Sequence, residues 1–189
     1  SGSATNKTEE YDGSSWTNVN AMGFTKTLAA GAGTQTSALC ASGGSNGTKA
    51  QDYDGTNWTT ISDVGTPRSN IGGAAGTNTA FVMFGGSPNS TATEEWNGSA
   101  WSNGGAMNTG RGMYNGGTGT QTSALAIAGE SPSNPDSNKV EQYDGSSWAN
   151  VASLATGRRS IFAGSSSTTA GIAMGGRVGG SDQSITEEW

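Results

Sequence analysis

Short apolar stretches alternate with Gly, Ser, Thr and Asn along the whole chain. Residues 79–84 form an almost continuous apolar run, which is usual for a strand buried on both faces. Residues 69–75 are small and apolar, and residues 93–96 and 100–102 are short segments around an aromatic residue. An Asn-Gly pair separates the last two, and this pair suits a hairpin turn because both positions need positive φ. The pattern therefore predicts four short antiparallel strands in succession.

The same pattern returns along the chain. The sequence Glu-Glu-Tyr-Asp-Gly-Ser-Ser-Trp of residues 9–16 has related copies at residues 51–58, 94–101 and 141–148, and residues 187–189 begin a fifth copy. Four-stranded antiparallel units of about 40 to 50 residues are the sequence signature of propeller blades. We therefore predict an all-β fold, a β-propeller of four-stranded antiparallel blades in a single domain. The expected repeats are approximately 8–50, 51–93, 94–140 and 141–189 within a domain covering 1–189.

Two further markers keep the same interval. An apolar strand that ends in paired glycines occupies residues 38–44, 80–86 and 170–176, whereas the copy at 124–130 has Glu130 in place of the second glycine. One basic residue also recurs at a fixed place in each repeat, as Lys26, Arg68, Arg111 and Arg158. These side chains are expected to form a ring around the propeller axis at one face.

Together these features resemble the kelch repeat of β-propellers. The matching elements are paired glycines after an apolar strand, an aromatic residue followed by Asp-Gly, and a Trp five residues after that aromatic. The resemblance covers nearly the whole chain from about residue 8. It implies that the recurring basic residues lie near the ligand-binding face. The short motif Thr-Glu-Glu-Tyr-Asp-Gly-Ser-Ser-Trp-Thr of residues 8–17 is also similar to repeats in tail and surface proteins of marine phages and bacteria.

Counting strands leaves two arrangements open. The Glu-Glu-aromatic strand type occurs five times and the diglycine strand type four times. In the first arrangement each chain closes as a four-bladed ring by velcro closure, in which N-terminal strands complete the last blade. In the second, two chains exchange ends and form an eight-bladed ring. The chain is therefore expected to be a monomer or a ring-sharing homodimer, although kelch propellers usually have more than four blades.

Composition limits the chemistry of the protein. The 189 residues include 32 Gly, one Cys and no His. A chain without His lacks an imidazole base and an imidazole metal ligand, and one Cys cannot build a multi-thiolate zinc site. Galactose oxidase shares kelch blades, but its copper needs His. We therefore expect no enzymatic activity, no cofactor and no metal.

The charge and hydropathy of the chain also restrict its partners. The net charge of −6 argues against nucleic acid, because phosphate neutralisation needs clustered Lys and Arg. No apolar run approaches the roughly 20 residues that a membrane span needs. The expected partners are a glycan, an anionic small ligand or a protein surface.

The ring of basic residues is the first candidate site. Four cations that converge on the axis would attract an anion such as sulfate, a carboxylate or an acidic sugar. The alternative role is structural, with each side chain bonded to carbonyl oxygens of its neighbouring blade. The sequence leaves both roles open.

The recurring aromatic and acidic residues are expected to be structural. The tryptophans of the repeat core should pack between blades, and they are Trp16, Trp58, Trp101 and Trp148. Adjacent carboxylates such as Glu94 and Glu95 point to opposite faces of a strand and cannot converge as an acid–base pair. We expect them to protect an outward strand from aggregation. Tyr114 breaks the pattern of its small-residue strand and is expected to reach the central channel.

The sequence therefore predicts a non-enzymatic, kelch-like propeller that acts as a binding, adhesion or structural module. The alternative is a pure structural repeat scaffold with no dedicated ligand. No signal peptide heads the sequence. The phage and bacterial resemblance suggests a virion or a cell surface as its location.

Overall fold

A computed structural model describes residues 4–44, 47–71, 73–112, 116–165 and 167–189, so Tyr114 lies outside the described residues. The strands are short and no helix connects them within the described ranges. In chain order they are β1 Thr8–Tyr11, β2 Trp16–Val19, β3 Ala30–Thr34, β4 Ser37–Ala41, β5 Ala50–Tyr53, β6 Trp58–Ile61, β7 Gly73–Gly76, β8 Phe81–Phe84, β9 Thr93–Trp96, β10 Trp101–Asn103, β11 Gly117–Thr120, β12 Ser123–Ile127, β13 Val140–Tyr143, β14 Trp148–Val151, β15 Phe162–Gly164, β16 Ile172–Met174, β17 Arg177–Val178, β18 Ser181–Asp182 and β19 Thr186–Glu188.

The strands build a four-bladed β-propeller, which confirms the predicted fold class. Blade 1 is the antiparallel sheet β3–β4–β5–β6, blade 2 is β7–β8–β9–β10 and blade 3 is β11–β12–β13–β14. Blade 4 contains β15, β16 and β19, with the small β17–β18 hairpin in its loop. The first strands of successive blades lie side by side, so that β7 contacts β3 and β11, and β11 contacts β15.

The blades are out of phase with the sequence repeats. Each complete blade takes its first two strands from one repeat and its last two strands from the next. The chain therefore begins with β1 and β2, which correspond to the third and fourth strands of a blade and pair with each other as the N-terminal hairpin. In blade 4, β19 pairs with β16 and so occupies the position that velcro closure assigns to β1.

The strand register shifts the expected alignment of the paired glycines by one residue. Ala38 of β4, Phe81 of β8 and Ala124 of β12 hold equivalent positions opposite the third-strand aromatic. Gly129 is therefore equivalent to Gly86, and Glu130 does not replace a member of the pair. The φ angles give the reason: the second position of the pair has φ between +88° and +107° in every blade, and all four blades keep glycine there.

The apolar core is divided among the interfaces between blades. One buried cluster joins Leu39 and Ala41 of blade 1 to Phe81 and Trp96 of blade 2. A second joins blades 2 and 3, and a third joins blades 3 and 4. Because each sheet is small, neither of its faces can be covered from within the blade, and the neighbouring blade supplies the missing contact.

Candidate functional site

The recurring basic residues lie inside the blades with their side chains buried. Arg111 stands in the segment that enters blade 3 and is completely buried. Its Nη1 donates to the carbonyl oxygens of Ala128, at 3.0 Å, and Lys139, at 2.7 Å. Its Nη2 donates to Oε1 of Glu141 at 2.8 Å, where both side chains are fully buried. The guanidinium thus ties the entry of the blade to its second and third strands.

Blade 2 repeats this arrangement, and blade 4 keeps the ion pair with different carbonyl contacts. Arg68 donates to the carbonyl oxygen of Ala92 at 2.6 Å and pairs with Glu94, and both side chains are buried. Arg158 pairs with Glu187 and donates to the carbonyl oxygen of Ala173 at 3.3 Å. Each ion pair joins a basic residue to the first carboxylate of the Glu-Glu or Glu-Gln sequence in its own blade. The contacts are those of the structural alternative for these residues.

Blade 1 replaces both members of the ion pair. Lys26 stands where the other blades have Arg, and its Nζ donates to the carbonyl oxygens of Ser42, at 2.8 Å, and Lys49, at 2.6 Å. Gln51 stands where the other blades have a carboxylate, and its Oε1 accepts the N–H of Gly23 at 3.1 Å. Burial lowers the pKa of Lys26 below its ordinary value. An ammonium lacks the planar fork that bonds carbonyl and carboxylate oxygens together. The paired change keeps the two carbonyl contacts and one N–H contact, and Gln51 cannot form an ion pair.

The first carboxylate of each pair also holds the incoming chain. Oε2 of Glu141 accepts the N–H of Asn108 at 2.7 Å, and Oε1 accepts the N–H of Thr109 at 3.2 Å. Glu94 accepts the N–H of Gly65 at 2.6 Å in the same way. A buried carboxylate that accepts backbone N–H groups and faces a guanidinium is fully engaged. This carboxylate therefore lies in the interior. The expectation from the sequence, that it protects an outward strand from aggregation, was wrong for Glu94 and Glu141.

Part of each guanidinium has no protein partner. The Nε atoms of Arg68, Arg111 and Arg158 are buried and have no acceptor within the described part of the chain. Buried donors without an acceptor are costly, so these N–H groups are the donors available to water or to a small acceptor. The anion-binding ring stays a prediction, and these three donors are the atoms on which it depends. Burial lowers the pKa of Arg68 and Arg111, while the neighbouring carboxylates oppose that shift.

The second carboxylate of a pair points towards the following blade and joins the two blades. Tyr143 of blade 3 donates its hydroxyl to Oε1 of Glu95 in blade 2 at 2.7 Å. Tyr53 of blade 1 donates to Oε1 of Glu10 in the N-terminal hairpin at 2.6 Å. The hydrogen bond to Glu10 raises the pKa of Tyr53 to about 12. The two carboxylates therefore diverge, and no acid–base pair forms from them.

The recurring tryptophans lie at the interfaces between blades. The indole of Trp148 in blade 3 lies 4.7 Å from the ring of Phe84 in blade 2, measured between centroids, and its Nε1 donates to Oγ1 of Thr93 at 2.9 Å. Trp58 makes the equivalent bond to Thr8 of the N-terminal hairpin, also at 2.9 Å. Each indole thus reaches back to the blade before it. Trp16 has the same place on β2, and its side chain is 68% exposed.

The Asp residues of the hairpin turns bond to their own turns. Oδ1 of Asp54 accepts the N–H groups of Thr56 and Asn57, which hold the pKa of Asp54 below its ordinary value. Asn97 of blade 2 makes the same bonds with an amide oxygen, to the N–H groups of Ser99 and Ala100. These carboxylates therefore act as turn acceptors. Among the described residues, no group of three His, Cys, Asp or Glu side chains is placed to hold a metal ion.

Sequence reasoning missed the partners of the basic residues. It identified Arg68, Arg111 and Arg158 but not that each pairs with a carboxylate of its own blade. One signal was present: the blade with Lys26 is also the blade with Gln51 in place of the carboxylate. The pairing itself depends on strand register, because it joins residues about thirty positions apart.

Comparison with known proteins assigns no family. No protein-family model matches the chain, and no curated protein sequence matches it. In the described part of the chain, no helix has the length and apolar character to cross a lipid bilayer. The residues themselves are therefore the basis for any proposed function.

Removal of one ion-pair partner is expected to destabilise the fold strongly. Arg111→Met leaves Glu141 buried without its guanidinium, which typically costs about 3–5 kcal/mol. The double variant Arg111→Lys/Glu141→Gln copies the residues of blade 1, so its free energy of unfolding should lie well above that of Arg111→Met. Chemical denaturation measures both. Arg177→Ala breaks an exposed pair with Asp182 and serves as the control, with an expected loss of at most about 1 kcal/mol. A loss for Arg111→Met no larger than that control would contradict the role of the pair.

Acid should weaken the protein partly through Asp144. Backbone and side-chain hydrogen bonds from Ser147 and Ser146 lower the pKa of Asp144 to about 2. A depressed carboxyl pKa contributes stability above the unfolded-state value, near 4, and that contribution is lost as the pH falls towards 2. Asp144→Asn should therefore reduce the fall in melting temperature between pH 4 and pH 2, as followed by circular dichroism. The reverse change, Asn97→Asp, should steepen that fall, and parallel profiles for all three proteins would contradict the assignment.

Proposed function

We propose that this chain is a non-enzymatic, kelch-like propeller that acts as a structural module and presents an interaction face on its non-repeating loops. One observation carries the proposal: the recurring charged and aromatic side chains are engaged in contacts within and between blades. Arg111 and Glu141 pair inside a blade, and Trp148 packs between two blades. Residues that repeat in this way serve the architecture, which leaves recognition to the parts that do not repeat.

The non-repeating parts come together on blades 3 and 4. The loop between the second and third strands has eight residues in blades 1 and 2, twelve in blade 3 and eleven in blade 4. Asp136 of the blade 3 loop accepts a hydrogen bond from Arg159 Nη1 at 2.6 Å and another from the N–H of Gly179 at 2.7 Å. We call this surface the loop face, residues 130–138 and 177–182. Loops held by a rigid scaffold are the usual place for recognition.

The proposed partner is a surface ligand, either a glycan or a protein, and the proposed setting is a phage tail or a bacterial surface. The loop face carries charges of both signs at Arg177, Asp136 and Asp182, and Asp136 is paired with Arg159, which suits polar recognition. An anionic small ligand at the buried Nε donors of the arginines is the second candidate, because those donors have no protein acceptor in the described residues. The resemblance to phage and bacterial surface repeats supports the setting.

Binding to glycan and peptide arrays tests the proposal. The wild-type protein should bind a defined subset of ligands, and Asp136→Ala should weaken that binding at least tenfold because the two loops lose their shared acceptor. Asp63→Ala, which breaks an exposed pair with Lys49 on blade 1, is the matched control and should bind as the wild type does. Arrays without hits, or hits that Asp136→Ala leaves unchanged, would contradict the loop face and favour a scaffold without a dedicated ligand.

A further inference from the structure

Large exposed hydrophobic side chains mark the two ends of the blade row. At one end they lie on the N-terminal hairpin, and at the other end they lie on blade 4. They are Tyr11 and Trp16 on the hairpin, and Phe162, Met174 and Trp189 on blade 4. The remaining one among the described residues, Leu28, lies just before β3 of blade 1. Phe162 and Met174 lie on one face of blade 4, and Trp189 lines a cavity on the other face. Large apolar side chains left exposed in this way are typical of interaction sites.

Each recurring tryptophan other than Trp16 packs against the blade or hairpin that precedes its own blade. Trp148 is 7% exposed because blade 2 covers it, whereas Trp16 is 68% exposed. Glu9 follows the same rule: the equivalent carboxylates Glu94 and Glu141 are buried against an arginine, but Glu9 is exposed. The hairpin thus carries two side chains whose equivalents elsewhere in the chain have buried partners.

A cavity at the other end has the place and lining that such a tryptophan needs. It has a volume of about 270 Å³, lies between blades 3 and 4, and is lined by Leu125, Ile127, Val140, Leu154 and Trp189, among others. Val140 begins the third strand of blade 3, as Thr93 begins that of blade 2. Since Thr93 is the residue that Trp148 bonds, the cavity lies where a tryptophan from the fourth strand of blade 4 would pack.

The hairpin end has a complementary cleft. A space of about 320 Å³ opens between the N-terminal hairpin and blade 1, lined by Tyr11, Trp16, Tyr53 and Trp58 among others. In a complete blade, the first two strands would lie beside β1 at this point. Blade 4 has those two strands, β15 and β16, with Phe162 and Met174 exposed. The hairpin therefore lacks the first two strands of a blade, which blade 4 has, and blade 4 lacks a fourth strand, which the hairpin has as β2.

We propose that the chains associate head to tail, with the N-terminal hairpin of a second copy completing blade 4. In this assembly β1 of the second copy takes the place of β19 on β16, its Tyr11 replaces Trp189 in the lining of the cavity between blades 3 and 4, and its Trp16 enters that cavity. The two strands are interchangeable, since Thr8-Glu9-Glu10 repeats as Thr186-Glu187-Glu188. Glu9 then faces Arg158 as Glu187 does. Exchange of an identical element between protomers is a low-cost route to association.

The second copy also covers the outer face of blade 4. Phe162 and Met174 form a cross-strand pair at the positions that Ala30 and Ala41 hold in blade 1. Blade 2 buries Ala30 and Ala41 in the chain itself. Blade 1 of the second copy stands next to its own hairpin, so it meets Phe162 and Met174 in the same way. The interface between copies would therefore resemble the three interfaces between successive blades within one chain.

The two ends do not close on each other within the described part of the chain: the first strands of successive blades are in contact, whereas β15 of blade 4 makes no contact of that extent with β3 of blade 1. The hairpin already lies against blade 1 of its own chain, through Tyr53 with Glu10 and Trp58 with Thr8. At the same time β19 pairs with β16 at the far end of the row. A single chain thus holds both incomplete ends at once, and a neighbour can fill them without disturbing the contact between hairpin and blade 1. Two chains joined at both ends give an eight-bladed ring, which closes because the same interface occurs twice.

Mixing of single-cysteine variants tests the exchange. Met174 lies opposite Thr186 in the β16–β19 pair, so Thr8 of the second copy would lie opposite Met174. Opposite residues of antiparallel strands have Cα atoms about 4.5–5.5 Å apart, within reach of a disulfide. Thr8→Cys and Met174→Cys, each with Cys40→Ser, should form a disulfide between two chains when they are mixed, refolded together and oxidised. Ser102→Cys, at an exposed position of blade 2, mixed with Met174→Cys is the control and should not.

Light scattering gives the second measure. The wild-type chain should have twice its mass of 18.9 kDa, and Trp16→Ala should shift the population to 18.9 kDa. Ser102→Ala, at an exposed position of β10 in blade 2, should keep the wild-type mass. Removal of residues 184–189 should also keep it, because β1 of the second copy replaces β19. Three results would overturn the proposal: a wild-type mass of 18.9 kDa, no disulfide between the mixed variants, or a disulfide within one chain of Thr8→Cys/Met174→Cys.

Discussion

The indole of Trp148 lies on Phe84 of the blade before it and donates its N–H to Thr93, and contacts of this kind between blades carry the fold. The chain has few large aliphatic residues, since only 31% of its residues are hydrophobic in total. A sheet of four short strands made largely of Gly, Ala, Ser and Thr cannot bury enough apolar area alone. Each blade therefore obtains its core from its neighbour, and a large aromatic ring is the economical way to supply that area because one side chain buries about 150–250 Å².

The buried ion pairs solve a second problem of the same architecture. Long irregular segments connect each blade to the next, and their backbone groups need partners in the interior. The guanidinium of Arg111 binds two carbonyl oxygens, while Glu141 binds two backbone N–H groups of the incoming segment. One ion pair thus satisfies four backbone groups at the point where the chain changes direction. Replacement of the pair by Lys26 and Gln51 in blade 1 keeps both carbonyl bonds and one of the two N–H bonds, which identifies these three as the common requirement.

The sequence predicted the fold well because its signals are local and repeated. The strands predicted at residues 79–84 and 93–96 agree with β8 and β9 to within two residues, and the hairpin turn at Asn97-Gly98 joins β9 to β10. The alignment of the paired glycines was wrong by one residue, because composition allows the shift and only the strand register fixes it. The partner of Arg111 could not be predicted, since contact with Glu141 depends on how the blade folds back on itself. The exposure of Trp16 could not be predicted either, because it depends on position in the row and not on local sequence.

The central claim is that stability resides in the contacts between blades and follows the burial of the recurring tryptophans. The free energy of unfolding of Trp148→Ala, measured by chemical denaturation against the wild type, tests this claim most directly. Truncation of a buried aromatic side chain in a well-packed core costs about 3–5 kcal/mol, and the account predicts a loss in that range. A loss below about 1 kcal/mol would contradict it, because the blades would then be held together by something other than these indoles.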